Sequence, residues 1–261
     1  PFHAIAAALT RQRHADTRAH ADFAAVDEIG PRDAGDQFAR ELDRMGGGAF
    51  DGAHDGELVA AEPRQQDRVA RAFTQTIADL MTLREHRGGD LRGMRVAVTW
   101  AYAPSYAKPL SVPQGLLTLL PRFGIDVVLA HPPGWDLMPE VLDRADRAAA
   151  DGGGSITRVD DMDDAFAAAD VVYPKSWGRI DAFADEAAGL AESAVHRGWI
   201  CDERRMALAK PDALYMHCLP ADRGTEVSDA VIDGPHSVVY DQAENRMHTG
   251  KALMALTMGG F

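Results

Sequence analysis

The chain has 261 residues, 46% of them hydrophobic, which is enough for one large α/β domain or two small ones. A formal net charge of −13 argues against unaided affinity for nucleic acid or an anionic membrane, while leaving room for a local basic pocket. The two cysteines, Cys201 and Cys218, supply no disulfide framework and fit a reducing cytoplasm; no apolar run approaches the roughly 18 residues needed to span a bilayer, and no signal-peptide pattern opens the chain.

The chain begins at Pro1 rather than methionine, so part of its beginning is expected to be missing. From Pro1 to Gly93 there is no serine, asparagine, lysine, tyrosine, tryptophan or cysteine. Ala4–Thr10 and Asp36–Met45 carry weak helical patterns, and Gly46-Gly47-Gly48 followed by Asp51–Glu57 reads as loop. Such a segment buries too little apolar surface to offset its ordering entropy. Two readings stay open: a disordered arm, or GC-rich coding sequence read out of frame.

From Thr74 the text changes. Thr76–His86 reads as an amphipathic helix with Ile77, Leu80, Met81 and Leu83 apolar. Buried strands are expected at Arg95–Trp100, Asp126–Ala130, Ile156–Val159, Asp170–Tyr173, Ala213–His217 and Ser237–Tyr240. Helices are expected at Val112–Phe123, Met138–Asp151, Met162–Ala168 and Glu244–Met258. Continuous apolar strands separated by helices imply an α/β fold, a parallel sheet with helices on both faces. Ligands of such sheets sit at the carboxyl ends of the strands, where Ser176-Trp177, His217-Cys218 and Asp241-Gln242 fall. The first strand runs into Ala101-Tyr102-Ala103-Pro104-Ser105 without a glycine-rich fingerprint, which excludes a usual dinucleotide site.

Three stretches carry possible chemistry. In His217-Cys218-Leu219-Pro220 the imidazole can donate to a carbonyl oxygen that gains charge during acyl transfer. The thiol is either a nucleophile or a contact for a bound amine, and Pro220 stiffens the turn. The plainer alternative is a satisfied histidine beside a small buried thiol. Zinc fits poorly, because no second pair stands at ligand spacing. In Glu244-Asn245-Arg246-Met247-His248, an arginine in a helix's first turn opposes the dipole, so either a bound anion explains it or it is simply solvated. Asp170–Gly178 ends a strand with lysine, serine, tryptophan and glycine; alone it is a loop around a packed tryptophan. Ala103–Gln114, with three prolines, is alone a turn-rich loop.

Taken together, Thr74–Met258 resembles the aspartate/ornithine carbamoyltransferase superfamily. His-Cys-Leu-Pro and the later Glu-Asn-Arg-x-His with Lys251 are similar to its ornithine-type members. Thr99-Trp100-Ala101-Tyr102, its proline-rich continuation and Tyr173-Pro174-Lys175-Ser176-Trp177 resemble the knotted branch, which includes acetylornithine and succinylornithine enzymes. Lys108–Gln114 and Leu219-Pro220-Ala221-Asp222 favour a catabolic-looking group in that branch whose acceptor is open. The resemblance implies that a later segment threads Ala103–Gln114, a rare exception to unknotted connectivity. It also implies attack of an amino-acid-like amine on carbamoyl phosphate, with no metal or organic cofactor, in a cytoplasmic homotrimer.

By the same resemblance, His217 would donate to the carbamoyl oxygen and Arg246 would bind carbamoyl phosphate. Cys218 and Leu219 would line the junction with the amine, with Pro220 beside them. Ser176 and Trp177 would flank the second substrate, and Trp100 and Gln75 join the substrate-binding positions. Gln75 matches the end of the family's His-Pro-Thr-Gln, but here the motif reads Ala72-Phe73-Thr74-Gln75. The phosphate-holding Ser-Thr-Arg-Thr-Arg is absent. The implied division is an aberrant segment 1–73, a linking helix 74–92, an amino-acid-binding domain 93–245 and a C-terminal helix 246–261. Two functional expectations follow: a carbamoyltransferase impaired in this chain, or a non-catalytic remnant that binds an amino-acid-like ligand.

Overall fold

A computed structural model describes residues 63–104, 108–181 and 185–258, with the side chains of 63–73, 186 and 256–258 left aside. The expectations for Ala4–Thr10, Asp36–Met45 and the glycine-rich loop lie outside the described residues. The chain divides into two compact units, one of residues 68–245 and the other of residues 1–67 with 246–261.

The first described helix, α1, spans Pro63–Arg87 and so begins well before Thr76. The chain then lays down β1 (Arg95–Trp100), α2 (Ser111–Leu119) with a 3-10 turn at Leu120–Phe123, β2 (Asp126–Ala130), α3 (Pro139–Gly152) and β3 (Ser155–Val159). After α4 (Met162–Phe166) come β4 (Val171–Lys175), α5 (Glu186–Ser193), a 3-10 turn Ala194–His196, α6 (Glu203–Met206), β5 (Leu214–Tyr215), α7 (Asp229–Ile232) and α8 (Val239–Met258). All five strands are parallel, in the order β3-β2-β1-β4-β5.

The expected parallel α/β architecture is therefore present. β1 and β4 are buried along almost their whole length, as the β-branched runs RVAV and DVV require, while β3 at the edge is largely exposed. Ala97, Val128, Val172 and Tyr215 pack with Phe166 of α4 and Ile232 of α7 in one buried cluster. Pro174 sits inside β4 without harm. Backbone groups alternate sides along a strand, and Val172 O accepts from Met216 on the β5 side, so Pro174 faces that side too. β5 stops pairing at Val172, leaving no ladder bond there for the missing N–H to break.

Two of the expected strands differ from the sequence reading. Only Leu214 and Tyr215 of Ala213–His217 pair as strand; beyond them Met216 N–H still reaches Val172 O, and the chain then turns out of the sheet. Ser237–Tyr240 is not a strand: Ser237 makes a lone bridge to Tyr215, and Val239 already opens α8. Its valines are buried, and that burial demand, met by the first turn of a helix, imitates a strand in sequence.

Candidate functional site

The strand order reverses between β1 and β4, so a crevice opens outside their carboxyl ends. Trp100 ends β1, Lys175-Ser176-Trp177 ends β4, and Met216-His217-Cys218 follows β5 at the same edge.

His217 is 1% exposed and held from two sides. Its backbone N–H donates to Gln242 Oε1 at 2.9 Å. Its ring Nδ1 accepts from Leu219 N–H at 3.0 Å. A backbone N–H can only donate, so Nδ1 carries the lone pair and the neutral ring carries its proton on Nε2. Burial lowers the His217 pKa; Glu226 opposes that, and Lys175 and Lys108 reinforce it. Near neutral pH, His217 is thus an uncharged Nε2–H donor. That nitrogen has no hydrogen-bond partner among the described residues, since Glu226 Oε2 stands 3.7 Å away, beyond hydrogen-bond distance.

Glu226 is fully buried and ties three segments together. Its Oε1 accepts from Lys175 Nζ at 3.1 Å and Ser176 N–H at 2.8 Å. Its Oε2 accepts from Asp222 N–H at 2.7 Å and Lys108 Nζ at 3.3 Å. Burial alone would raise its pKa, but the His217 Nε2–H facing it at 3.7 Å and the ammonium groups of Lys175 and Lys108 hold it well below the usual carboxylate range. Lys108 also reaches Asp222 Oδ2 at 2.8 Å.

A second buried carboxylate, Asp79 of α1, lies behind His217. Its Oδ1 accepts from Gln75 Nε2 at 2.7 Å and from Gln242 Nε2 at 2.6 Å. Its Oδ2 accepts from the Tyr173 hydroxyl at 3.3 Å, and that hydroxyl accepts from Gln242 Nε2 at 3.0 Å. Gln75 Oε1 is buried with no partner among the described residues.

Burial pushes the Cys218 thiol up to about 11, with Lys175 pulling the other way. At neutral pH it is a thiol, which suits a contact for a bound group better than a nucleophile. Leu219 adopts a left-handed backbone (φ 44), and the peptide to Pro220 is cis. Trp100 and Trp177 are both buried, and their indole N–H groups are committed, Trp100 to Trp177 O at 2.9 Å and Trp177 to Trp135 O at 2.8 Å. They form a packed wall with Trp135, whose ring centroid lies 5.4 Å from that of Trp100. Ser176 is 4% exposed, with its N–H on Glu226.

Arg246 is not in a first turn. α8 opens at Val239, so Arg246 stands about two turns inside the helix, in the unit of residues 1–67 and 246–261. The dipole argument for an anion there does not hold.

Sequence reasoning gave no role to Asp79, Glu226, Lys108 or Lys175. Asp79 had a signal: it interrupts the apolar face Ile77, Leu80, Met81, Leu83 at one helical turn from Gln75. Glu226 had none, because it sits in a polar loop. Among the described residues no group of three or more His, Cys, Asp or Glu side chains could hold a metal ion, and no helix is long and apolar enough to cross a membrane.

Residues 110–257, more than half of the chain, match the family described as aspartate/ornithine carbamoyltransferase, Asp/Orn binding domain. The chain belongs to this carbamoyltransferase family. The protein YgeW of Escherichia coli strain K12, named as a carbamoyltransferase, is 39% identical over 250 residues, covering 84% of this chain and 62% of that protein. N-acetylornithine carbamoyltransferase of Xanthomonas campestris pv. campestris is 40% identical over 189 residues, covering 71% of this chain and 55% of the relative. A variant N-acetyl-L-ornithine transcarbamylase complexed with PALAO aligns with a TM-score of 0.66 at 41% identity, over 70% of this chain and 55% of that one. Another variant of that enzyme, complexed with carbamyl phosphate and N-succinyl-L-norvaline, gives 0.65 at 40% identity over the same shares. The chain therefore spans 55–62% of the length of these relatives.

Proposed function

We propose that the edge built by His217, Gln75 and Cys218 holds the carbamoyl group of carbamoyl phosphate while an amino-acid-like amine attacks its carbon. The observation that carries this is a pair of buried, unpartnered atoms of opposite polarity among the described residues: the His217 Nε2–H donor and the Gln75 Oε1 acceptor. A carbamoyl group presents a carbonyl oxygen and an NH2 group and needs one of each. As the amine nitrogen bonds to carbon, the carbonyl oxygen gains charge and the Nε2–H stabilises it. The oxyanion then collapses, the C–O bond to phosphate breaks, and the departing phosphate takes the proton that the amine nitrogen loses, leaving the carbamoylated amine. Cys218, Leu219 and Pro220 border the reacting carbon, and the Trp100–Trp177 wall with Ser176 borders the acceptor. A relative's complex with carbamyl phosphate and N-succinyl-L-norvaline supports this substrate pair. A cytoplasmic homotrimer, with a later segment threaded through Ala103–Gln114, belongs to the same proposal.

Turnover by this 261-residue chain is low in this account. Gln75 follows Ala72-Phe73-Thr74 rather than His-Pro-Thr, and no Ser-Thr-Arg-Thr-Arg run is present to hold the phosphate. That observation also favours the second reading, a remnant that binds an amino-acid-like ligand without catalysis. The test is a carbamoylation assay with carbamoyl phosphate and a panel of amines, beside equilibrium titration with PALAO. Binding of PALAO that is lost in His217→Phe, with little turnover, supports the account. Robust turnover overturns the impairment, and absence of PALAO binding overturns the site.

A further inference from the structure

We propose that Asp79 is a positioning residue that sets the hydrogen-bond polarity of the carbamoyl pocket, an inference that rests on the carbamoyl reading of that pocket. A glutamine amide has nearly the same shape in its two orientations, yet one presents an acceptor where the other presents a donor. Something must choose between them, or the pocket loses its sense. Asp79 Oδ1 accepts from both amides, Gln75 Nε2 at 2.7 Å and Gln242 Nε2 at 2.6 Å. Each glutamine must therefore turn its oxygen away from Asp79.

The consequences run in two directions. Gln242 Oε1 meets the His217 backbone N–H at 2.9 Å, a group that only donates, so both ends of Gln242 demand the same orientation. That contact anchors the residue whose ring presents Nε2–H. Gln75 Oε1 is left buried and unpartnered among the described residues, as an acceptor. One carboxylate oxygen thus specifies the acceptor side and braces the donor side. Tyr173 locks the second oxygen, donating to Oδ2 at 3.3 Å. Asp79 acts on the ligand through these neighbours.

The first readout needs no ligand. In the full 261-residue chain, NMR of the glutamine side chains is expected to find the Gln75 and Gln242 amide protons protected from solvent exchange, with the His217 proton on Nε2. Amides that exchange as freely as those of an exposed glutamine overturn the proposal. The second readout compares carbamoyl phosphate with acetyl phosphate, which differ only by NH2 against CH3. The wild-type chain should prefer carbamoyl phosphate by about ten-fold, the effect of one well-placed hydrogen bond to a buried acceptor. Asp79→Leu, which cannot accept, should lose that preference, and Asp79→Asn, which keeps one accepting oxygen, should restore most of it. An unchanged preference in folded Asp79→Leu contradicts the assignment. If Asp79→Leu does not fold, the wild-type amide protection decides. Protected amides in a wild-type chain that binds neither probe would uphold the orienting role of Asp79 and overturn the carbamoyl reading instead.

Discussion

Carboxylates occur in two settings in this molecule. On the surface, Asp146 pairs with Arg158 at 2.8 Å, and Asp233 and Asp229 flank Arg223 at 2.6 Å, all partly or largely exposed. At the carboxyl edge of the sheet, Glu226 and Asp79 have no exposure, and each accepts from several donors at fixed places. Water screens the first set and permits any partner to leave. The second set has no such freedom, because a buried charge stripped of one partner is left desolvated. Surface pairs therefore say little about function. A buried carboxylate whose donors come from three separate segments says where the chain has committed its polar groups. Here that place is also the topological switch point of the sheet.

The largest expected effect is on stability. Glu226→Ala leaves Lys175 and Lys108 without their shared anion, and urea unfolding should register a loss of about 3–5 kcal/mol. A loss near zero would place Glu226 with the surface carboxylates and dissolve the contrast. Next is reactivity. With the Cys218 thiol pushed up to about 11, alkylation by iodoacetamide at pH 8 should run about two orders of magnitude slower than for an unperturbed cysteine. Labelling at the free rate would mean that the edge is not buried.

Acid should separate the regions further. The folded pKa of His217 lies below its unfolded value, so the unfolded chain takes up the proton first and stability falls as pH drops below about 6.5. The folded pKa of Glu226 is also depressed; its contribution is complete above its unfolded value near 4.5 and is lost as pH falls below that. Urea midpoints measured from pH 7.5 to pH 4 should decline across both windows, and Glu226→Gln should flatten the lower one. The smallest effect sharpens the comparison from the other side. Asp146→Ala removes an exposed partner of Arg158 and should change stability by less than about 1 kcal/mol.

The central strands were legible because their pattern is local. Arg95–Trp100 and Asp126–Ala130 are continuous apolar runs, and the strands begin and end with them. Ser237–Tyr240 misled because buried valines suit a strand or the first turn of a helix equally well, and only the packing decides. The α5–α7 helices went unread, since four- to eight-residue helices offer too few turns for a period to emerge. The site was half legible. Gln75, Ser176, His217 and Cys218 reached notice through motifs that run along the chain. Asp79 and Glu226 act through partners 50 to 163 residues away, and no window of sequence contains such pairs.

The central claim is that His217 offers a neutral Nε2–H to a carbamoyl oxygen. Nitrogen NMR of the histidine rings, recorded at pH 7 as carbamoyl phosphate is added, tests it most directly. The account predicts an Nε2–H tautomer in the free chain and a ring proton that moves downfield as the ligand saturates. A protonated ring, an Nδ1–H tautomer, or a His217 signal indifferent to bound carbamoyl phosphate would contradict it.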